Sequence, residues 1–252
     1  MSKKKIIIID DQLNLLTTLK FIFEEYDFDV TMVSSGLEAL EIMKEKIFQV
    51  ALLDIHMPEM DGLDTFRRIK EVSPSTAVIM MTGNRNSPQV QKSISEGAVT
   101  VIYKPFSVHD LMTMIKELLK RPIVLVVDDR TDDRIMLKNA LEVTNFRVIE
   151  AESGEDAIAK IQKGEFDVCI VDYKMPGMNG VDTIENIKKL YPEVIAILMS
   201  GHTLEDALRS ELSDKKELAF LEKPYNMKKL AEIISQEIDK QERDDIEIRK
   251  TE

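Results

Sequence analysis

The stretch IIIIDDQ, residues 6–12, places four isoleucines directly before two aspartates. A run of apolar β-branched residues is typical of a strand that is buried on both faces of a parallel sheet. Two adjacent carboxylates at the end of such a strand repel each other, and burial makes it costlier to keep both ionised. Asp10 and Asp11 are therefore expected to form a solvated turn, a helix cap or a cation site.

The same pattern returns in the second half of the chain, where IVLVVDDR spans residues 123–130. The next motif recurs as well, because VALLDIHMPEMDG (50–62) is matched by VCIVDYKMPGMNG (168–180). A repeat this long indicates duplication of a whole domain, since solenoid repeats span about 20–50 residues. Equivalent positions are 118 residues apart for Asp11 and Asp129, Asp54 and Asp172, and Thr82 and Ser200, and 119 apart for Lys104 and Lys223.

Within each copy, short apolar runs alternate five times with amphipathic segments, which predicts a parallel sheet covered by helices on both faces. We expect domains at 1–121 and 122–240 and a charged tail at 241–252. Strands are expected near 5–9, 29–33, 50–54, 77–82 and 99–103, and near 123–127, 147–151, 168–172, 195–200 and 219–222. Helices are expected near 13–25, 36–45, 62–71, 87–96 and 108–120, and near 131–143, 154–163, 181–190, 204–213 and 227–240.

Composition narrows the possible functions. The 252 residues are enough for two ordinary domains, and a hydrophobic fraction of 44% is enough to fill their cores. A net charge of −12 argues against a nucleic-acid or anionic-membrane surface. A single cysteine, Cys169, cannot form an internal disulfide, and no apolar run is long enough to span a bilayer. We therefore expect a cytoplasmic protein that binds neither nucleic acid nor membrane.

Polar side chains stand where four strands of each copy end. Ligands of open parallel α/β sheets bind outside the carboxyl ends of the strands, so these side chains are expected to meet at one rim. Three clustered carboxylates suit Mg²⁺, which binds one or two of them, several waters and phosphate oxygens. The rim residues are Asp10, Asp11, Asp54, Thr82 and Lys104 in the first copy and Asp128, Asp129, Asp172, Ser200 and Lys223 in the second.

One carboxylate that faces the open side of such a rim can act as a nucleophile toward a phosphoryl group. The metal would neutralise the charge of the transferring group, while the lysine and the hydroxyl would hold its other oxygens. The expected product is an acyl phosphate on aspartate.

Both copies resemble the receiver domain of two-component response regulators. The acid pair, the D-x-x-MP motif with its following glycine, the hydroxyl residue before glycine and the Lys-Pro pair occur in order in each copy. The resemblance covers about 1–120 and 123–240. It implies two flavodoxin-like (βα)5 domains, each a five-stranded parallel sheet with strand order 2-1-3-4-5.

The resemblance also implies a role for each rim residue. Asp54 and Asp172 are the expected phosphoacceptors. The expected Mg²⁺ ligands are Asp11 and Asp129, with Asp10 and Asp128 holding metal-bound water and the backbone carbonyls of His56 and Lys174 completing the coordination. The expected phosphate-binding and switch residues are Thr82, Ser200, Lys104 and Lys223, together with Phe220, the aromatic three residues before the second lysine.

The two copies depart from the family pattern in different places. The first copy has Val101 where the family has an inward-swinging aromatic, and the second has Phe220 there. The family's Gly-Ala before the fifth strand is present as Gly97 and Ala98 but absent from the second copy. We therefore expect a larger switch in the second copy.

The resemblance implies a phosphorelay protein whose two receivers take a phosphoryl group from a sensor histidine kinase or a histidine phosphotransfer protein. The expected chemistry is Mg²⁺-dependent self-phosphorylation and autodephosphorylation, which changes binding of a downstream protein partner. Alternatives are the regulatory half of a longer response regulator, a Mg²⁺-dependent aspartyl phosphatase or phosphotransferase, and a pseudo-receiver pair that binds partners without phosphate. His56 and Lys174 argue against the phosphatase, which usually has a second aspartate at that position.

A homodimer is a further expectation. Receivers commonly pair through the face built from their fourth helix, fifth strand and fifth helix. In the second copy, Ile234, Ile238 and Ile246 could extend an apolar stripe along the last helix.

Overall fold

The structure is a computed structural model that describes residues 3–85, 88–201, 218–223 and 226–251. The chain divides into two compact units, 1–120 and 121–252. Within the described ranges, no helix is both long enough and apolar enough to cross a membrane.

The first unit alternates strand and helix five times, as the sequence predicts. Its strands are β1 (Lys5–Ile9), β2 (Asp29–Val33), β3 (Val50–Asp54), β4 (Ala77–Thr82) and β5 (Thr100–Tyr103). Its helices are α1 (Leu13–Glu25), α2 (Gly36–Glu45), α3 (Gly62–Val72), α4 (Pro88–Ser95) and α5 (Val108–Leu119).

The second unit repeats this order in the part of the chain that the structure describes. Its strands are β6 (Ile123–Val127), β7 (Arg147–Ala151), β8 (Val168–Asp172), β9 (Ile195–Ser200) and β10 (Leu218–Glu222). Its helices are α6 (Thr131–Val143), α7 (Gly154–Ile161), α8 (Gly180–Leu190) and α9 (Met227–Thr251). The helix expected near 204–213 lies outside the described residues.

Each unit contains one five-stranded sheet whose pairings are all parallel. The strand orders are β2-β1-β3-β4-β5 and β7-β6-β8-β9-β10, so the predicted order 2-1-3-4-5 is confirmed in both. The order reverses direction where the first strand of each unit lies beside the third. Ligand sites of doubly wound sheets form at this position, and here it places the end of β1 beside the end of β3.

The isoleucine run of β1 divides its side chains between two cores. Ile7 and Ile9 pack into a cluster with Leu40 and Phe66 from α2 and α3. Ile6 and Ile8 pack on the opposite face, with residues of α1 and α5. All four are fully buried, and burial of each contributes about 1.5–3 kcal/mol. The prediction of a strand buried on both faces is therefore confirmed.

The acid pair after β1 does not cap the next helix. Helix α1 begins at Leu13, its N-cap residue is Gln12, and no side chain caps it. Asp10 is fully buried, and its Oδ1 accepts a hydrogen bond from the Gln12 backbone N–H at 2.9 Å. Of the three readings offered for this pair, the helix cap is wrong.

The last helix differs from expectation in its length and in one apolar side chain. Helix α9 continues to Thr251, past the end expected near 240. Ile234 is fully buried in the core of its own unit, and Ile238 packs against that core. The expectation that Ile234 extends an exposed stripe is therefore wrong, while the Ile246 side chain lies outside the described part of the chain.

Candidate functional site

The first rim brings three carboxylates together at the ends of β1 and β3. Asp10, Asp11 and Asp54 each offer one oxygen, and these oxygens all lie within 4.8 Å of one another. Asp10 and Asp54 are buried, while Asp11 is exposed. The trio thus combines two buried carboxylates with one that solvent can reach.

Lys104 compensates the buried charge of this trio. It follows β5, and its backbone N–H donates to the carbonyl of Thr82 at 2.8 Å. Its Nζ lies 2.5 Å from Asp10 Oδ2 and 3.1 Å from Asp54 Oδ1. The side chain therefore spans from β5 to both β1 and β3 beneath the open edge of the rim.

The pKa of Asp54 is raised above its ordinary value. Burial is the main cause, because it disfavours the charged carboxylate, and the nearby Asp10 and Asp11 act in the same direction. Lys104 opposes them through its charge and its hydrogen bond. A further cation beside Asp54 would therefore stabilise its charged form.

An open pocket of about 680 Å³ lies over this rim. Asp11, Asp54 and Lys104 line it, together with the exposed His56 two residues after Asp54. A group of phosphoryl size can reach these four side chains from solvent.

The hydroxyl of Thr82 is buried at the end of β4. Its Oγ1 accepts a hydrogen bond from the backbone N–H of Asn84 at 3.0 Å, which ties the side chain to the loop that follows. Arg85 in the same loop lies over the ring of Tyr103, with Cζ 5.0 Å from the ring centroid. Tyr103 is the partner of Thr82 across β4 and β5, so this contact links the loop to β5.

A glycine after each acceptor strand allows the next helix to approach the acceptor. A Cβ on Gly62 would stand 2.2 Å from the carbonyl oxygen of Asp54, and one on Gly180 would stand 2.3 Å from that of Asp172. The residue before each glycine caps the helix, since Asp61 and Asn179 accept hydrogen bonds from N–H groups of the first turn.

The second rim has the same residue types in a different arrangement. Asp128 and Asp172 are buried, Asp129 is exposed, and the Ser200 hydroxyl donates to the carbonyl of Gly201 at 3.0 Å. Within the described ranges, Asp10, Asp11 and Asp54 are the only group of three potential metal ligands that meets the 4.8 Å separation. The structure therefore does not bring the second trio together as closely as the first.

Lys223 is more fully engaged than Lys104. Its Nζ lies 2.6 Å from Asp172, 2.9 Å from Asp128 and 3.7 Å from Asp133. Burial alone would lower the pKa of Lys223, but the hydrogen bonds that its ammonium donates to Asp172 and Asp128 outweigh that effect and raise the pKa. Burial also raises the pKa of Asp172 above its ordinary value, with Lys223 opposing the shift.

Sequence reasoning missed two residues of α6 that shape the second rim. Asp133 contributes the third carboxylate to Lys223. Arg134 is buried, and its Nη1 donates to the backbone carbonyl of Asp128 at 2.7 Å. The signal was available by comparing the two copies, because Leu15 and Leu16 occupy the equivalent positions of α1.

The predicted switch position differs between the units as the sequence indicated. Val101 is partly buried and packs against the core of the first unit. Phe220 exposes 38% of its surface on β10. At this position the second unit thus has an exposed aromatic side chain, whereas the first has a partly buried valine.

The two units of the chain each match the same protein family. The family model described as "Response regulator receiver domain" matches residues 6–116 and 124–235. Sporulation initiation phosphotransferase F of Bacillus subtilis is 31% identical over 119 residues, which are 47% of this chain and 96% of that protein. A solved response regulator receiver domain protein from Methanospirillum hungatei is 29% identical, covers 50% of this chain and 99% of that one, and gives a TM-score of 0.46.

A longer relative matches through one domain. The transcriptional regulatory protein ZraR of Klebsiella oxytoca is 32% identical over 114 residues, which are 45% of this chain. The chain spans 26% of the length of that relative. The two matches to the family model cover most of the described sequence, including both sheets and both rims. The chain therefore belongs to the response regulator receiver domain family, with two copies of the domain in tandem.

Proposed function

We propose that each domain accepts a phosphoryl group on aspartate, at Asp54 in the first and Asp172 in the second, and then changes its affinity for a protein partner. We place the two receivers at 1–121 and 122–240. The observation that carries this proposal is the duplicated lysine bridge, in which Lys104 joins Asp10 to Asp54 and Lys223 joins Asp128 to Asp172. A lysine held at the acceptor is placed to receive phosphoryl oxygens.

The transfer step is a displacement at phosphorus. A carboxylate oxygen of Asp54 forms the new P–O bond while the P–N bond of the donor phosphohistidine breaks, and the electron pair of that bond stays on the imidazole nitrogen. Lys104 exchanges its contact with the carboxylate for one with a phosphoryl oxygen. The Thr82 hydroxyl exchanges its hydrogen bond with the loop for one with the phosphoryl group, which gives the chemistry a route to the β4–α4 loop.

The first rim fits a hard divalent cation. Three carboxylate oxygens that lie within 4.8 Å of one another form the oxygen-rich donor set that Mg²⁺ prefers. We assign Asp11 as its direct ligand, Asp10 as a partner of its bound water and the His56 carbonyl as a further ligand. Asp129, Asp128 and the Lys174 carbonyl have these roles in the second domain. Bound Mg²⁺ would supply positive charge that offsets the developing charge of the phosphoryl group.

The test is intact-mass measurement after incubation with acetyl phosphate and Mg²⁺. The wild-type chain should gain up to two phosphoryl groups, Asp54→Asn and Asp172→Asn one each, and the double variant none. Asp61→Asn changes a carboxylate on the adjacent cap and serves as a control that should label normally. A double variant that labels like wild type would contradict the assignment of both acceptors.

We assign the phosphodonor as a histidine kinase or a histidine phosphotransfer protein. This assignment is supported by membership of the receiver family and by the similarity to sporulation initiation phosphotransferase F. Mixing the chain with a phosphohistidine-bearing domain should move the label from histidine to Asp54 or Asp172. Failure of transfer where acetyl phosphate succeeds would limit the assignment to small-molecule donors.

We further propose a homodimer through α9 that phosphorylation favours. The burial of Ile234 removes one of the apolar residues on which it depended. Light scattering with and without beryllofluoride and Mg²⁺ tests it, and a monomer in both states would contradict it.

An aspartyl phosphatase is the second candidate function. Its support is an acid-rich rim with an open pocket, but His56 and Lys174 are exposed where those hydrolases usually have a second aspartate. Repeated turnover of a phosphate ester such as p-nitrophenyl phosphate would favour this function over a receiver.

A further inference from the structure

The second rim contains a carboxylate that the first rim lacks. Asp133 lies in the first turn of α6, and its Oδ2 is 3.7 Å from the Lys223 ammonium and 3.2 Å from Nη1 of Arg130. Its side chain is only 23% exposed, so solvent screens these contacts incompletely. The equivalent residues of the first copy are Leu15 and Gln12, which carry no charge.

The Lys223 ammonium donates hydrogen bonds to Asp128 and Asp172 at 2.9 Å and 2.6 Å, and Asp133, at 3.7 Å, adds a third negative charge beyond hydrogen-bond distance. A phosphoryl group on Asp172 adds oxygens that require the same ammonium. Asp128 is fully buried and stays in place, so the phosphoryl oxygens have to compete with Asp133 for Lys223.

Asp133 also changes the field that an incoming phosphoryl group meets. Its negative charge lies 3.7 Å from the Lys223 ammonium and 3.2 Å from Nη1 of Arg130. It therefore reduces the attraction of both cations for an anion and adds direct repulsion. In the first domain, the apolar Leu15 lines the pocket beside Asp54 and Lys104 and leaves the charge of the lysine uncompensated from that side.

We propose that Asp133 sets the phosphoryl affinity of the second receiver below that of the first, a role that rests on the proposed phosphoryl transfer to Asp172. Asp133 acts as a positioning residue, because it holds the Lys223 ammonium and does not contact the acceptor. Because the first receiver has Leu15 where the second has Asp133, the first receiver is phosphorylated at a lower donor concentration than the second.

The test is titration of the full chain with beryllofluoride at saturating Mg²⁺, followed by heteronuclear NMR. With the first acceptor disabled by Asp54→Asn, adding Asp133→Asn should tighten beryllofluoride binding at the second site about tenfold, equivalent to about 1.4 kcal/mol. Asp133→Glu keeps the charge and should restore the weaker binding. With the second acceptor disabled by Asp172→Asn, adding Leu15→Asp should weaken binding at the first site.

The outcomes separate this role from the proposed function. Unchanged or weaker binding in Asp133→Asn, together with no effect of Leu15→Asp, would overturn the role of Asp133 alone. The same result with a large loss of Mg²⁺ affinity would show that Asp133 is a metal ligand. Absence of both beryllofluoride binding and acetyl phosphate labelling at Asp172, with and without Asp133→Asn, would instead overturn the proposed function of the second receiver.

Discussion

The two receiver rims each have three aspartates, one hydroxyl residue and one lysine, but they differ in how the charges are compensated. In the first, Lys104 pairs with two aspartates, and three carboxylates converge within 4.8 Å. In the second, Lys223 contacts three aspartates, and the corresponding trio does not converge to that separation. The third lysine contact arises in the first turn of the following helix, where the second copy has Asp133 and the first has Leu15. The sequence motif therefore determines which charged groups the rim contains, while residues outside the motif determine how many ion pairs those groups form.

The largest expected effect is the loss of stability when the glycine that packs against the acceptor aspartate is replaced in either domain. Gly62→Ala and Gly180→Ala should each reduce the free energy of unfolding of their domain by about 3 kcal/mol, because the new Cβ would collide with the carbonyl of the acceptor aspartate. Urea denaturation monitored separately in each domain would measure this loss.

Gly83→Ala and Gly201→Ala are matched controls for the glycine variants. Among the residues that the structure describes, a Cβ at either position meets no atom within 4 Å, so neither change should crowd these surroundings. Equal losses in the control and test variants would show that close approach to the carbonyl of the acceptor does not explain the loss.

Replacement of the rim lysine should destabilise the second domain more than the first. Lys104→Met leaves two buried carboxylates without their cation, and Lys223→Met leaves two together with Asp133. We expect a loss of about 3 kcal/mol in each domain, with the larger loss in the second. Lys120→Met removes an exposed pair with Glu117 and should cost at most about 1 kcal/mol. A larger loss for Lys104→Met would contradict the greater engagement of Lys223.

Magnesium should bind the first domain more tightly. A lysine contacts two carboxylates in each set, but only the first trio, among the described residues, converges within 4.8 Å and so offers a prepared oxygen site. Isothermal titration calorimetry should show that Asp11→Ala removes the tighter site and Asp129→Ala the weaker, with affinities that differ about tenfold, or about 1.4 kcal/mol. Two sites of equal affinity would remove this distinction between the rims.

Beryllofluoride binding should cause a larger structural change in the second domain than in the first. Phe220 is exposed and adjacent to the Lys223 strand end, whereas Val101 is smaller and packs in the core. Beryllofluoride with Mg²⁺ should therefore change hydrogen exchange more across β10 than across β5, by about 1 kcal/mol of opening free energy. Phe220→Val should remove the excess, and a greater change across β5 in the wild-type chain would contradict the prediction.

The smallest effect concerns the contact of Arg85 with Tyr103. Arg85→Ala removes a cation–π interaction and should lower local protection of β5 and the end of β4 by about 0.5–1 kcal/mol. Arg68→Ala, on the exposed part of α3, provides a control in the same domain. Hydrogen exchange of residues 100–103 would measure the difference, and identical protection in both variants would show that this contact does not stabilise β5.

Most of the fold could be predicted from sequence because its signals are local. The central strands are short apolar runs that are clear in the sequence, and β1 through β10 lie within about one residue of their expected positions. The end of α9 was missed because the charged segment after residue 240 contains no proline or glycine to stop the helix. The rim residues were found because each follows a strand end.

The arrangement of charges at the rim was less predictable. An acid in the first turn of a helix usually interacts with the helix N-terminus, and Asp132 and Asp133 fit that pattern. Only the fold shows that Asp133 turns toward a lysine 90 residues later in the sequence. Sequence pattern names the groups at a site, but contacts between distant residues set their charge balance.

The long final helix has a mechanical consequence. Leu230, Ile234 and Ile238 pack its first turns against the core of the second receiver, and the Gln241 side chain donates a hydrogen bond to the carbonyl of Glu193. The helix then continues to Thr251, about 15 Å beyond Gln241. A tilt of about 10° at Gln241 would displace the far end by about 2.5 Å, if the helix moves as a rigid rod. A small rotation at the receiver core would thus become a movement of about half a helical turn at the end of the helix.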